Sequence, residues 1–123
     1  MMPFETSFDH PRRLMITRAS GYLTLDDVRA YQQELGRRPE FDPTWAHVFD
    51  ARDAVQFDLA SDESRQLAET SVLAPCARRA MVATDPATFG LFRMYSTWLE
   101  LRTGAPEVGV FMTLEEAVNW VTA

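Results

Sequence analysis

Apolar and polar side chains alternate in five short stretches of the chain and recur at helical spacing in four others. Residues 4–9 and 14–19 predict two strands. The turn His10-Pro11-Arg12-Arg13 between them is short enough for an antiparallel hairpin. Thr24, Asp26 and Asp27 predict a helix start, because a hydroxyl caps free amides and carboxylates suit the positive first turn. Leu25, Val28, Tyr31, Gln32 and Leu35 then fall on one face, and Gly36 predicts the end. Residues 37–43 read as loop and 45–50 as the third strand. Residues 51–60 read as a connection to a second helix that opens at Ser61-Asp62-Glu63, buries Leu67, Ala68 and Leu73, and stops at Pro75. Residues 79–84 predict the fourth strand. Asp85-Pro86 opens a third helix reaching to about residue 102, with proline at the position where no amide is needed, and Gly104-Ala105-Pro106 breaks it. Residues 107–112 predict the fifth strand. Thr113 and Glu116 form the ends of a capping box for a last helix that buries Leu114, Ala117, Val118 and Val121.

The order β-β-α-β-α-β-α-β-α predicts an α/β fold with parallel pairing after the first hairpin and right-handed crossovers. At 123 residues, with no linker, repeat or low-complexity tract, residues 1–123 read as a single domain. Strand three sends Ala46 and Val48 one way and Trp45, His47 and Phe49 the other. Strand five sends Val108, Val110 and Met112 one way and Phe111 the other. Apolar groups on both faces imply cover on both. The four helices can be divided between the faces or packed on one, which would leave an apolar face for a partner.

Charge narrows the function. The net charge is −6 and the basic residues lie in small scattered groups, so a nucleic acid is not an expected partner. All 12 basic residues are arginine, which removes Schiff-base chemistry and a phosphate-loop lysine together. The lone Cys76 allows no internal disulfide and reads as a buried, inert thiol. No apolar run reaches the ~18 residues of a membrane span. Met1-Met2-Pro3-Phe4-Glu5 lacks the pattern of a signal peptide, so a cytoplasmic location is expected.

Five segments carry a resemblance: Gly21-Tyr22-Leu23-Thr24-Leu25-Asp26-Asp27; Val48-Phe49-Asp50-Ala51-Arg52; Ala80-Met81-Val82-Ala83; Phe89-Gly90-Leu91-Phe92-Arg93-Met94; and Val110-Phe111-Met112 with Glu116-Ala117-Val118-Asn119-Trp120. In order and spacing the chain resembles the SpoIIAA-like (STAS/SEC14 domain) group. The resemblance implies a single-domain β-α superhelix: a five-stranded mixed sheet, mostly parallel with the first strand antiparallel, and about four helices, mainly on one face. It also implies a non-enzymatic regulatory or binding module with a regulatory protein as partner. The group's namesakes are phosphorylated on a serine two residues after an aspartate that follows strand three. Here the aspartate is Asp50 and Arg52 takes the serine's place; the next serines are Ser61 and Ser64. The phospho-serine switch is therefore expected to be absent. The SEC14 branch implies an alternative, a carrier of a small apolar or amphipathic ligand.

No motif assembles a reaction, and an enzyme of unrecognised type is the third reading. Asp50 and Thr84 imitate the phospho-acceptor layout of receiver domains. Ala19-Ser20 stands where the metal-holding acids belong, and the balancing lysine is missing. His10 has no cysteine or histidine near it at metal spacing, so neither metal nor cofactor is expected. No Gly-x-Ser-x-Gly or phosphate-loop pattern occurs. His47, between Trp45 and Phe49, reads as packed or interfacial. Phe89, Phe92, Tyr95 and Trp98 recur every three residues and read as core or as a groove for an apolar ligand. Ligands of open α/β sheets bind beyond the carboxyl ends of the strands. That rim should gather Asp50, Arg52, Thr84, Asp85 and Arg93, the last able to hold an anion with the helix amino end. With Phe89 and Phe92 these are the candidate ligand-binding residues. Trp45, His47, Phe49, Met81 and Phe111 are the candidates for a homodimer interface on an uncovered sheet face. The competing expectation is that the first hairpin and one helix cover that face within a monomer.

Overall fold

The computed structural model describes residues 3–69, 77–103 and 108–123. Five strands and four helices alternate as expected: β1 (Phe4–Asp9), β2 (Leu14–Thr24), α1 (Leu25–Arg37), β3 (Ala46–Asp58), α2 (Ser61–Glu69), β4 (Arg79–Val82), α3 (Pro86–Thr103), β5 (Val108–Phe111) and α4 (Leu114–Thr122). The strands lie side by side in chain order. β1 runs antiparallel to β2, and every later pair is parallel. Leu73, Pro75, Cys76, Gly104, Ala105, Pro106 and Glu107 lie outside the described residues. Among the described residues, no helix is long and apolar enough to cross a membrane.

Helix starts follow the capping chemistry. The Thr24 hydroxyl accepts from the Asp27 amide at 3.3 Å, and the Asp27 carboxylate accepts from the Thr24 amide at 2.9 Å. At α4 the box closes differently. Thr113 Oγ1 accepts from the Glu116 amide, while the Glu116 carboxylate accepts from the Thr113 hydroxyl at 2.8 Å. The Asp85 carboxylate takes the Thr88 amide at 3.0 Å and so closes the first turn of α3. Gly36 does not end α1, which runs through Arg37.

Two strands are longer than the hydrophobic pattern predicts. β2 runs on past Ala19 to Thr24, and β3 runs on past Asp50 to Asp58, the two pairing as far as Thr24 with Asp58. Residues 51–58 are therefore strand, and only Leu59 and Ala60 separate β3 from α2. The register shifts between Arg18 and Ser20 and again after Gly21. Gly21 sits at φ +83°, a backbone that glycine adopts without a Cβ clash.

The helices divide three to one between the faces. On one face Leu14, Val48, Ala80 and Val82 pack against Ala117 and Val121 of α4. On the other, Phe4, Ala19, Phe49, Met81 and their neighbours pack under α1, α2 and α3 through Val28, Tyr31, Leu67, Phe92 and Tyr95. Both sheet faces are covered within one chain, so the bare face on which the interface expectation rested does not exist.

Candidate functional site

The rim residues chosen from sequence do not form one site. Asp50 alternates with Phe49 and lies on the opposite face of β3 from Phe92. It is buried, and its carboxylate accepts from Arg52 through Nε and Nη2, both at 2.9 Å, and from the Arg52 amide at 3.1 Å. Burial pushes this carboxyl up; the hydrogen bonds and charge of Arg52, with the charge of Arg18, outweigh it and hold the pKa below the usual range. The pair is a structural clasp within β3. Arg52 sits mid-strand and not at a helix start. Thr84 and Arg93 are exposed, and Asp85 is committed to capping α3. Among the described residues no hydrogen bond or ion pair joins these three to Asp50 or Arg52. Phe89 packs beside Ala51, Met81 and Ala83, and Phe92 is buried with them.

The interface candidates also separate. His47 and Met81 are buried beneath the three-helix layer. Phe49 is half-buried among Phe4, Tyr31, Phe57 and Phe92, with ring centroids 5.9–6.2 Å away. Trp45 meets His10 edge-on at 5.2 Å. Phe111 points to the opposite face and packs on Trp120. These five residues do not share a face and cannot form one contact surface.

What the three-helix face does contain is a cavity of about 110 Å³, between the sheet and α1–α3. Its wall is mostly apolar, with Phe49 and Met81 from the sheet, Val28 from α1, Leu67 from α2, and Phe92 and Leu99 from α3. Half-exposed Gln32, Leu59 and Leu91 lie toward solvent. Helical spacing explains the α1 contribution, since Val28, Tyr31, Gln32 and Leu35 all reach the wall from one face. Of the rim and ring candidates chosen from sequence, Phe92 lines it, with Tyr95 from the same aromatic row.

The cavity has a polar side. His47 and Arg79 are paired across β3 and β4, and both are buried. His47 Nε2 lies 2.9 Å from Thr17 Oγ1 and 3.2 Å from the Tyr31 hydroxyl. Thr17 Oγ1 also meets the Tyr31 hydroxyl at 2.6 Å and Thr6 Oγ1 at 2.9 Å. Burial, reinforced by the charge of Arg79, lowers the His47 pKa to about 4, so the ring is neutral near pH 7. Burial also raises the Tyr31 pKa, which keeps its proton. Ser64, on α2, also lines the cavity; it is 1% exposed, and among the described residues its Oγ has no hydrogen-bond partner. In sequence Tyr31 falls in a packing stripe, His47 reads as packed or interfacial, and Arg79 stands at a strand start. The one signal that could have grouped them is the alternation that puts His47, Phe49, Arg79 and Met81 on one face of adjacent strands. Among the described residues, no three His, Cys, Asp or Glu side chains cluster closely enough to hold a metal ion.

Among solved structures, this chain is similar to an uncharacterised protein of the DUF3478 family with a SpoIIAA-like fold from Shewanella loihica PV-4. The TM-score is 0.59 over 96% of this chain and 91% of that one, at 14% sequence identity. The fold is SpoIIAA-like. No protein-family model matches the chain, and no curated protein matches it in sequence. At 14% identity the likeness establishes the SpoIIAA-like architecture, and the site chemistry rests on this chain's own residues.

Proposed function

We propose that this SpoIIAA-like protein is a non-enzymatic binding module whose ligand is a small apolar molecule held between the sheet and α1–α3. The observation that carries this reading is the cavity of about 110 Å³, walled by Val28, Phe49, Leu67, Met81 and Phe92. Small-molecule sites are concave and mostly apolar, with a few placed polar groups, and this cavity has that composition. Support for the non-catalytic half comes from the polar residues. The Thr17 hydroxyl beside His47 is itself buried and engaged by Thr6 and Tyr31, so it is no accessible nucleophile.

Thermal unfolding and native mass spectrometry with toluene as probe test the reading. A ligand at 100 times its Kd adds about 2.7 kcal/mol of stability, which raises the Tm of a domain this size by several degrees. Wild-type protein is expected to show that rise, and Leu91→Trp, which crowds the mouth, to lose it while staying folded. No rise at toluene saturation, or a rise unchanged in Leu91→Trp, overturns the proposal.

A further inference from the structure

Ser64 narrows the ligand class, on the reading that the cavity is a ligand site. Tyr31 and His47 answer each other's hydrogen-bonding needs together with Thr17. Ser64 Oγ, in the same wall, is buried and answered by nothing. Folded proteins leave few buried polar groups unpaired, and one that lines a cavity is positioned to pair with a group the cavity receives. A hydroxyl can donate or accept. A buried donor left unanswered is rarer in folded proteins than an under-used acceptor, which favours an acceptor as the incoming group. Size sets the other bound: an apolar cavity of about 150 Å³ takes up benzene, and this one is about 110 Å³ and opens toward solvent near Gln32, Leu59 and Leu91, so one ring fills it only by reaching into the mouth. A long acyl chain does not fit within it.

We propose that the ligand is compact, no larger than one substituted ring, apolar over most of its surface, and carries one hydrogen-bond-accepting oxygen that the Ser64 hydroxyl donates to. The apolar walls bind the body, and Ser64 selects the head. A carbonyl and a carboxylate share this chemistry, and they differ in whether the head carries a charge.

Titration calorimetry of wild type and Ser64→Ala with toluene, benzaldehyde and benzoate separates the possibilities, with circular dichroism to verify folding. In wild type, benzaldehyde or benzoate is expected to bind about fivefold tighter than toluene, the effect of one net hydrogen bond. Ser64→Ala is expected to erase that advantage and leave toluene unchanged. A gain for benzoate alone identifies the head as anionic. Ser64→Cys, a weak donor of similar shape, should lie between the two and serves if the alanine variant does not fold. Toluene binding with no advantage for either oxygen-bearing probe, or an advantage that survives Ser64→Ala, overturns this proposal and leaves the cavity as a ligand site. If no probe binds, both fall together.

Discussion

Thr17 Oγ1 stands 2.9 Å from His47 Nε2, on the face of the sheet that α1 covers. The ring is buried there, and burial, reinforced by the charge of Arg79, keeps it neutral; Thr17 and Tyr31 meet its Nε2. The stability of the fold must therefore depend on pH. The unfolded chain takes up a proton at His47 near pH 6.5, while the folded chain resists until about pH 4. Between those values the unfolded state binds more protons, so stability falls as pH drops from 6.5 to 4 and levels off below. The loss is expected to be on the order of 3 kcal/mol. Urea unfolding across this range measures it. In His47→Gln the slope assigned to this residue should vanish, and an unchanged slope would assign the titration elsewhere.

Asp50 acts at lower pH. Its carboxyl is held below the ordinary value of 3.8, so it stabilises the fold above that value, and the contribution is lost as pH falls further. Arg52→Ala strips two of the three donors from a buried carboxylate. That variant is expected to lose about 1–3 kcal/mol at neutral pH. It should also lose less stability than wild type on going below pH 4, because Asp50 then titrates nearer its unfolded value. Asp50→Asn, which needs no counter-charge, should cost less than Arg52→Ala. The reverse order would show that the clasp matters through Arg52 and not through the buried carboxylate.

Gly109 is required by the ring next to it. A Cβ there would come 2.6 Å from Cε2 and 2.9 Å from Cζ of Phe111, while Cε3 of Trp120 closes the space at 3.4 Å. Phe111 cannot swing aside freely, since Trp120 packs against it at 5.7 Å between centroids. Gly109→Ala is expected to destabilise by about 1–3 kcal/mol, as overpacking does. Chemical denaturation measures the loss. Phe111→Leu in the same chain should recover part of it; no recovery would place the strain in the β5 backbone.

Element types and order were legible because they follow from local rules: Thr24, Asp85 and Thr113 mark helix starts, and alternation marks strand cores. The extents of β2 and β3 were not. Beyond Ala19 and Asp50 the two strands continue through Gly21, Arg52, Asp53 and Gln56, residues of low strand preference or strong polarity. They are held there by each other's ladder, a contact between segments far apart in the chain. The site was obscured for a related reason. Asp50 and Thr84 read as strand ends and Arg93 as lying inside the helix that starts beside them, but strand parity sends Asp50 to the far face, and Thr84 and Arg93 project into solvent. Ser64 resembles any helix serine until the packing of α2 shows its hydroxyl buried and unanswered.

That unanswered hydroxyl carries a stability prediction independent of any ligand. A buried donor without a partner costs its lost hydration, about 1–3 kcal/mol, and replacement by a methyl group removes the cost without opening a large void. Ser64→Ala is therefore expected to be more stable than wild type in ligand-free buffer, against the usual trend for substitutions at buried positions. Binding residues often carry such a cost, because what suits the bound state leaves the empty one strained. Denaturant midpoints of the two proteins, at equal slope, give the answer. A clear loss of stability in Ser64→Ala would mean that the hydroxyl is satisfied within the protein, which would remove the basis for reading it as the ligand's donor.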